Sequence, residues 1–96
     1  MLIFLAFYRI LLYLFMNTWL KRNNGPDEIV KIIADVKSKN AFLSYELSLA
    51  YEEYYLGNIL FDKDGYWIYD GEILTINEQE QIAKFIMNNM EVLLNT

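Results

Sequence analysis

Residues 62–65, with the sequence Asp-Lys-Asp-Gly, come nearest in this chain to a metal-binding loop. A calcium loop of the EF-hand type needs oxygen ligands at positions 1, 3, 5, 7 and 12 and a glycine at position 6. Counted from Asp62, the fifth, sixth and twelfth residues are Tyr66, Trp67 and Ile73, and none of them meets these requirements. Aspartate and glycine are also the residue types that tight turns require. The segment, which includes Asp64, is therefore predicted to be a turn, and no metal site is predicted.

Paired carboxylates are the other groups in this chain that could do chemistry, as a general acid and a general base. Glu46 and Glu53 are seven residues apart, a spacing that places both on one face of a helix. Acid–base catalysis would also require a pocket and a fixed separation between the two carboxyl groups. Charged side chains usually remain exposed to solvent, so these glutamates are interpreted as part of an acidic surface.

The composition excludes most other kinds of reaction. The chain of 96 residues contains no His and no Cys, which removes histidine acid–base catalysis, cysteine nucleophiles, disulfide bonds and the usual zinc ligands. Its serines have no histidine to activate them, and its four glycines are isolated rather than grouped in a phosphate-binding loop. We therefore expect a small protein that is not an enzyme, with no cofactor and no catalytic residue.

The charge of the chain is unevenly distributed. The net charge is −5, but residues 1–40 contain six Lys/Arg against three Asp/Glu (+3), whereas residues 41–96 contain two against ten (−8). An acidic surface repels phosphate groups, so nucleic-acid binding is not predicted. The complementary partner for such a surface is a basic protein.

The first twenty residues form the most hydrophobic part of the sequence, and they are followed directly by Lys21 and Arg22. A bilayer-spanning helix needs about 20 apolar residues. Residues 1–22 are therefore predicted to form a hydrophobic helix that anchors the chain in a membrane. The basic pair at its end indicates that the following domain is cytoplasmic or lies at the cytoplasmic face of a membrane.

A polar stripe interrupts this hydrophobic segment. Arg9, Tyr13 and Asn17 recur every four residues, and on a helix they would form one narrow face suited to a partner helix. Two other interpretations remain open for the segment. It could be a helix buried in a soluble protein, or residues 1–15 could precede the true start of the protein at Met16.

Two amphipathic helices are predicted to follow. Pro26 suits the first position of a helix, and Ile29, Ile32, Ile33 and Val36 recur at helical spacing, which predicts a helix over residues 26–38. Residues 41–56 have a broad apolar face at the same period and are followed by a glycine in a position typical of a helix C-cap. This pattern predicts a second helix over residues 41–56.

A three-stranded antiparallel meander is predicted over residues 59–76. Short apolar and aromatic runs alternate here with turn residues, and Asp70-Gly71 is a strong two-residue hairpin signal. Successive strand residues point to opposite faces. One of the two pairs Tyr66/Ile68 and Trp67/Tyr69 is therefore expected to be exposed.

The last predicted element is a C-terminal helix. Thr75-x-x-Glu78 and Asn77-x-x-Glu80 both match the capping-box pattern, and Ile82, Phe85 and Ile86 follow at helical spacing. The predicted fold is thus α+β, with an N-terminal hydrophobic helix (residues 1–22) and a small α+β domain (residues 23–96). That domain would contain two amphipathic helices, the three-stranded meander and the C-terminal helix.

The acidic and aromatic residues between positions 45 and 72 are predicted to form the partner-binding surface. Exposed tyrosine and tryptophan beside carboxylates are typical of interface hot spots. The residues predicted to contact the partner are Glu52, Glu53, Tyr55, Asp62, Asp64, Tyr66, Trp67, Tyr69, Asp70 and Glu72.

Two functional hypotheses follow from these patterns. The first is a protein-binding module, a small acidic inhibitor or immunity protein that docks on a basic partner surface. Small size, acidity and the lack of catalytic residues are typical of such proteins. This is a similarity of overall properties and not of sequence. The second is a single-span accessory subunit of a membrane complex with a cytoplasmic domain. Homo-oligomers are compatible with both hypotheses.

Overall fold

The fold consists of one antiparallel sheet and one helix. The computed structural model describes residues 15–35 and 43–94. The five strands pair in chain order as an antiparallel meander. The elements are β1 (Phe15–Leu20), β2 (Glu28–Asp35), β3 (Leu43–Leu49), β4 (Tyr55–Phe61), β5 (Trp67–Asp70) and α1 (Ile76–Leu94). The predicted helices before a three-stranded meander are therefore wrong, whereas the C-terminal helix is confirmed.

The alternation of residue types in β3 explains why this segment is a strand. Apolar Leu43, Tyr45, Leu47 and Leu49 alternate with the polar residues between them, and this period of two matches a strand buried on one face. Tyr45 and Leu47 are buried, whereas Glu46 is exposed. The helix predicted over residues 41–56 is wrong because the broad apolar face also satisfied a period of 3.6. Residues 43–56 instead form β3, the turn at 50–54 and the start of β4, and residues 41 and 42 lie outside the described ranges.

Over its described residues 26–35, the helix predicted for residues 26–38 is replaced by β2. Four of its five apolar residues are β-branched, and such side chains favour the pleated surface of a sheet. Val30 and Ile32 are fully buried on one face, and Ile29 and Ile33 lie half-buried on the other. A central strand with apolar residues on both faces also satisfies the helical spacing. Its pairing with β1 and β3 decides between the two structures.

The predicted N-terminal membrane helix is wrong where the structure describes it. Phe15–Leu20 is strand β1, paired with β2, and Asn17 lies on it opposite Lys31. Arg9 and Tyr13 lie outside the described residues. In the described ranges 15–35 and 43–94, no helix is long and apolar enough to cross a bilayer. For the described residues, the prediction that such a helix associates the chain with a membrane is therefore wrong.

Helix α1 covers one face of the sheet and forms the core with it. Ile82, Ala83 and Ile86 are fully buried, and Phe85 packs against the core partly buried. Burial of apolar surface at roughly 25 cal/mol per Å² is the main stabilising term for such a layer. The strand residues buried in this core are Leu20, Val30, Ile32, Tyr45, Leu47, Leu56, Ile59 and Phe61.

The start of α1 uses the first of the two predicted capping boxes. The Glu78 N–H donates to Thr75 Oγ1 at 3.2 Å, and the Thr75 N–H donates to Glu78 Oε1 at 2.8 Å. These reciprocal bonds satisfy backbone donors that have no partner within the helix. Glu78 is also buried, and its Oε2 accepts from Arg22 Nε at 2.8 Å. The helix start is thereby attached to the loop between β1 and β2.

The third strand of the predicted meander, after Asp70-Gly71, is absent, and the hydrogen bonds of Tyr69 explain why. Its hydroxyl donates to the Leu56 carbonyl and accepts from the N–H groups of Ile73 and Leu74 at 3.3 and 3.2 Å. These bonds hold residues 71–75 as an irregular connection to α1. A side chain at Gly71 would place its Cβ 2.4 Å from the Tyr69 hydroxyl. The glycine after Asp70 therefore makes room for the Tyr69 ring.

Gly57 is a strand glycine rather than the helix end that its position predicts. It lies in β4 beside a register shift between Leu47 and Ser48 of β3, with a φ of 124°. A glycine inside a strand often marks a bulge or a close approach. An ideal Cβ on Gly57 would lie 2.6 Å from Tyr69 Cε1. The close approach of the Tyr69 ring to β4 thus depends on the lack of a side chain at Gly57.

The buried phenol of Tyr45 makes the fold sensitive to alkaline pH. Its ring packs edge-on against Phe61 with 5.9 Å between centroids, and burial raises the pKa of Tyr45. The unfolded chain releases this proton near its ordinary pKa of about 10, so ionisation favours unfolding. The contribution is present below about pH 10 and is lost as the pH rises above it.

We therefore expect Tyr45→Phe to flatten the loss of stability above about pH 10, where one such group contributes a slope of at most about 1.4 kcal/mol per pH unit. Urea denaturation at a series of pH values from 8 to 11 measures this slope. Tyr66→Phe serves as the control because that ring is 75% exposed. Equal slopes for wild type and Tyr45→Phe would contradict the assignment.

Candidate functional site

Among the described residues, α1 covers one face of the sheet and no element covers the other. This second face, which we call the open face, carries exposed large apolar side chains: Phe15 is 61%, Trp19 66% and Ile68 63% exposed. Tyr66 is exposed as well, whereas Trp67 and Tyr69 are packed against the core. The expectation that one of these two pairs is exposed is confirmed.

Most of the negative charge collects at one end of the sheet, where β1, β3 and β5 end and β2 and β4 begin. We call this region the acidic end. Two cations, Lys21 and Arg22, lie there against seven carboxylates. The carboxylates are those of Asp27, Glu28, Glu52, Glu53, Asp70, Glu72 and Glu78. Because the strands are antiparallel, residues far apart in sequence meet at this end.

An open groove with a volume of about 280 Å³ lies at the acidic end. We call it the Trp19 groove. Its apolar surface comes from Trp19, Ile29, Leu49 and Ala50, and its polar surface includes three carboxylates. The complete lining is Trp19, Asp27, Glu28, Ile29, Leu49, Ala50, Tyr51 and Glu52.

Sheet pairing brings these lining residues together from three strands. Trp19 lies opposite Ile29 in the register of β1 and β2. The Ala50 N–H donates to the Ile29 carbonyl at 2.9 Å, which extends the pairing of β2 with the chain beyond β3. The Leu49 N–H donates to the Tyr54 carbonyl at 3.0 Å and closes the turn that carries Tyr51 and Glu52. The groove is therefore built on paired backbone and not on a long loop.

Arg22, in the loop between β1 and β2, is engaged by two carboxylates. Arg22 Nη1 bonds Glu28 Oε2 at 3.0 Å while its Nε bonds Glu78 Oε2 at 2.8 Å. Within the ranges that the structure describes, Asp27 and Glu52 form no ion pair. Both of these residues are exposed. Of the three carboxylates that line the groove, Glu28 is thus paired with Arg22, whereas Asp27 and Glu52 have no ion-pair partner among the described residues.

The structure divides the predicted partner-binding residues into three groups. Glu52, Glu53, Tyr55, Asp70 and Glu72 lie at the acidic end. Asp62, Asp64 and Tyr66 lie at the opposite end, across the seven residues of β4, or about 20 Å of strand. Trp67 and Tyr69 face the core side. One docking surface on the open face at the acidic end can therefore use only the first group.

The turn at the opposite end has a structural role. Asp62 Oδ1 accepts from the backbone N–H groups of Asp64 and Tyr66 at 2.9 and 3.0 Å, and Gly65 adopts a φ of 87°. These are the local bonds and the backbone angle that a tight turn requires. The prediction of a turn at residues 62–65 is confirmed. Nowhere in the described part of the chain do three or more Asp or Glu side chains form a group that could hold a metal ion.

Several groove residues were not predicted from the sequence. Trp19 was assigned to a membrane helix, and Asp27, Ile29, Leu49 and Tyr51 were assigned to helices. The alternation in β3 was the available signal, because a strand there would have placed Leu49 and its turn beside a neighbouring strand. The identity of that neighbour depends on pairing across the chain, which local patterns do not specify.

Tyr55, at the start of β4, belongs to a polar cluster on the open face. Its hydroxyl donates to Asn58 Oδ1, and Asn58 Nδ2 donates to Ser44 Oγ at 3.1 Å. Burial raises the pKa of Tyr55, and the nearby carboxylates of Asp70 and Glu46 and the phenol of Tyr69 raise it further. A phenol with a raised pKa stays protonated at neutral pH, as its hydrogen bond to Asn58 requires.

Comparison with known proteins assigns no relative to this chain. No protein-family model matches it, and neither a curated protein nor a solved structure is significantly similar to it. What this chain binds is therefore indicated by the chemistry of the acidic end and of the Trp19 groove. A fold alone does not specify a function, whereas the chemistry of a site restricts what it can bind.

Proposed function

We propose that this chain is a non-enzymatic protein-binding module of the inhibitor or immunity-protein kind, whose acidic end docks on a basic surface of its partner. One observation carries the proposal: the Trp19 groove joins unpaired carboxylates to an exposed tryptophan. Asp27 and Glu52 supply charge without an ion-pair partner among the described residues, and Trp19 supplies apolar surface. A basic protein surface offers the complementary charge.

Electrostatics supports this choice through steering rather than through any single contact. An exposed ion pair contributes only about 0–1 kcal/mol. Carboxylates clustered on one end of a small domain act together, and they raise the rate at which an oppositely charged partner associates. The excess of seven carboxylates over two cations at the acidic end is such a cluster. We therefore expect the association rate to fall as the salt concentration rises.

The aromatic side chains at the groove supply apolar contact surface, which the carboxylates do not provide. Tryptophan and tyrosine are enriched among the interface residues that contribute most to binding. Trp19 is 66% and Tyr51 85% exposed, although both carry large apolar surfaces. Burial of their rings by a partner would remove that surface from water. The groove thus combines an anchor with a charged rim.

Selection from a random library of displayed 15-residue peptides tests the proposal. We expect the selected peptides to be rich in Lys and Arg. The double variant Asp27→Lys/Glu52→Lys should weaken their binding about tenfold or more, which corresponds to roughly 1.4 kcal/mol. Surface plasmon resonance with immobilised peptide measures the change.

The matched control is Asp64→Lys/Glu80→Lys, which changes the net charge equally. Asp64 lies at the opposite end of the sheet and Glu80 on α1, and both are exposed. We expect the control to change the affinity by less than about threefold, because neither residue lines the Trp19 groove and a single exposed charge contributes little to binding. Selection of neutral or acidic peptides, or equal losses for the two double variants, would contradict the proposal.

A further inference from the structure

The size and chemistry of the Trp19 groove restrict what can occupy it. Its volume of about 280 Å³ lies just below the range of roughly 300–1,000 Å³ that is usual for small-molecule pockets. The groove is open to solvent along the sheet surface and has no enclosed chamber. It therefore suits one long side chain of a partner.

The distribution of polar and apolar groups selects a cationic side chain with an apolar stem. Ile29, Leu49 and Ala50 offer an apolar surface, and Asp27 and Glu52 offer carboxylates in the same groove. Lysine and arginine bury their methylene groups on such surfaces and keep the charged group near the rim. An acidic side chain would meet uncompensated negative charge, and an aliphatic one would leave both carboxylates without a partner.

The exposed indole of Trp19 favours arginine over lysine. A guanidinium group is planar, is more weakly hydrated than an ammonium group, and stacks on aromatic faces. It can also bond a carboxylate through two parallel N–H groups. We infer that the Trp19 groove binds an arginine side chain of the partner, with the guanidinium against Trp19 and paired with Asp27 or Glu52. This inference rests on the proposed function, because it names the group that the acidic end recognises.

Fluorescence titration of Trp19 tests the inference. The chain has two tryptophans, so Trp67→Phe leaves Trp19 as the sole indole, and circular dichroism checks that this variant is folded. The probes are acetyl-Gly-Arg-Gly-amide and the same peptide with lysine or with citrulline, the neutral isostere of arginine. We expect the arginine peptide to bind about tenfold more tightly than the citrulline peptide and about threefold more tightly than the lysine peptide.

Matched amide variants then locate the carboxylates involved. Glu52→Gln and Asp27→Asn should together abolish most of the preference for arginine over citrulline. Glu72→Gln should preserve it, because Glu72 lies at the acidic end but does not line the groove. Fluorescence anisotropy with a labelled arginine peptide extends the test to Trp19→Ala, for which we expect at least about a threefold loss of affinity.

Equal binding of the arginine and citrulline peptides would overturn the inference, as would a preference that survives both amide substitutions. This failure is distinguishable from failure of the proposed function. If selected basic peptides still lose affinity on Asp27→Lys/Glu52→Lys, the acidic end binds basic partners without an arginine-specific groove. If that loss is absent as well, both are wrong.

Discussion

Replacement of Gly57 by alanine is expected to lower the free energy of unfolding by about 3–5 kcal/mol, as the sum of backbone strain and overpacking. The φ of 124° at this position is one that L-amino acids rarely adopt. The added Cβ would also lie 2.6 Å from Tyr69 Cε1 and 2.8 Å from the Asp70 carbonyl oxygen. The Tyr69 ring could move, but the backbone oxygen of Asp70 belongs to the neighbouring strand.

Thermal and urea denaturation measure this effect. For a domain of this size, a loss of 3 kcal/mol corresponds to a fall in Tm of roughly 12–24 °C. Gly25→Ala provides the matched control, because Gly25 has a φ of 120° and no atom within 4 Å of an added Cβ. It should lose only about 1–2 kcal/mol, the cost of the backbone angle. A loss for Gly57→Ala no larger than that for Gly25→Ala would refute the predicted collision.

Replacement of Glu78 by alanine is expected to cost about 3 kcal/mol, because it removes a helix cap and one partner of a buried ion pair. The Thr75 N–H would lose its acceptor at 2.8 Å. Arg22, whose side chain is 21% exposed, would retain only Glu28, whose side chain is 38% exposed. The larger share of the loss comes from the buried contact with Arg22, whose charge would keep only the more exposed Glu28 as its partner.

Two further variants separate these contributions in urea denaturation. Glu78→Gln keeps an oxygen that can accept from the Thr75 N–H but removes the charge that pairs with Arg22, so we expect an intermediate loss. The second variant is Glu80→Ala, and Glu80 is an exposed residue two positions after Glu78 in α1. It should change stability by less than about 0.5 kcal/mol. An effect of Glu80→Ala as large as that of Glu78→Ala would show that general helix charge, rather than this contact, is responsible.

The contact between Arg22 and Glu78 also bears on the proposed binding surface. Because Arg22 is held by Glu78 and Glu28, it does not pair with Asp27 or Glu52 in the groove. A variant that frees Arg22 could neutralise the groove without changing any lining residue. The Arg22–Glu78 ion pair, which lies outside the groove lining, thus helps to leave Asp27 and Glu52 unpaired, although Arg22 also pairs with the lining residue Glu28.

Features that depend on residues close together in the sequence were determined by the sequence alone. The capping box from Thr75 to Glu78 and the turn at residues 62–65 use bonds between residues at most four positions apart. The placement of the pairs Tyr66/Ile68 and Trp67/Tyr69 on opposite faces follows from the alternation of side chains in any strand. The lack of His and Cys and the concentration of acid after residue 40 are properties of composition. None of these features requires knowledge of the strand partners.

In residues 15–35 and 43–61, the choice between helix and strand was decided by the tertiary structure. In β2, apolar residues on both faces satisfy the helical and the strand period together, and pairing with β1 and β3 selects the strand. The Arg22–Glu78 ion pair and the contact of Gly57 with Tyr69 likewise join distant parts of the chain. The metal-like turn at residues 62–65 was correctly assigned from local chemistry. The Trp19 groove could not be predicted from local chemistry, because its residues become neighbours only when three strands pair.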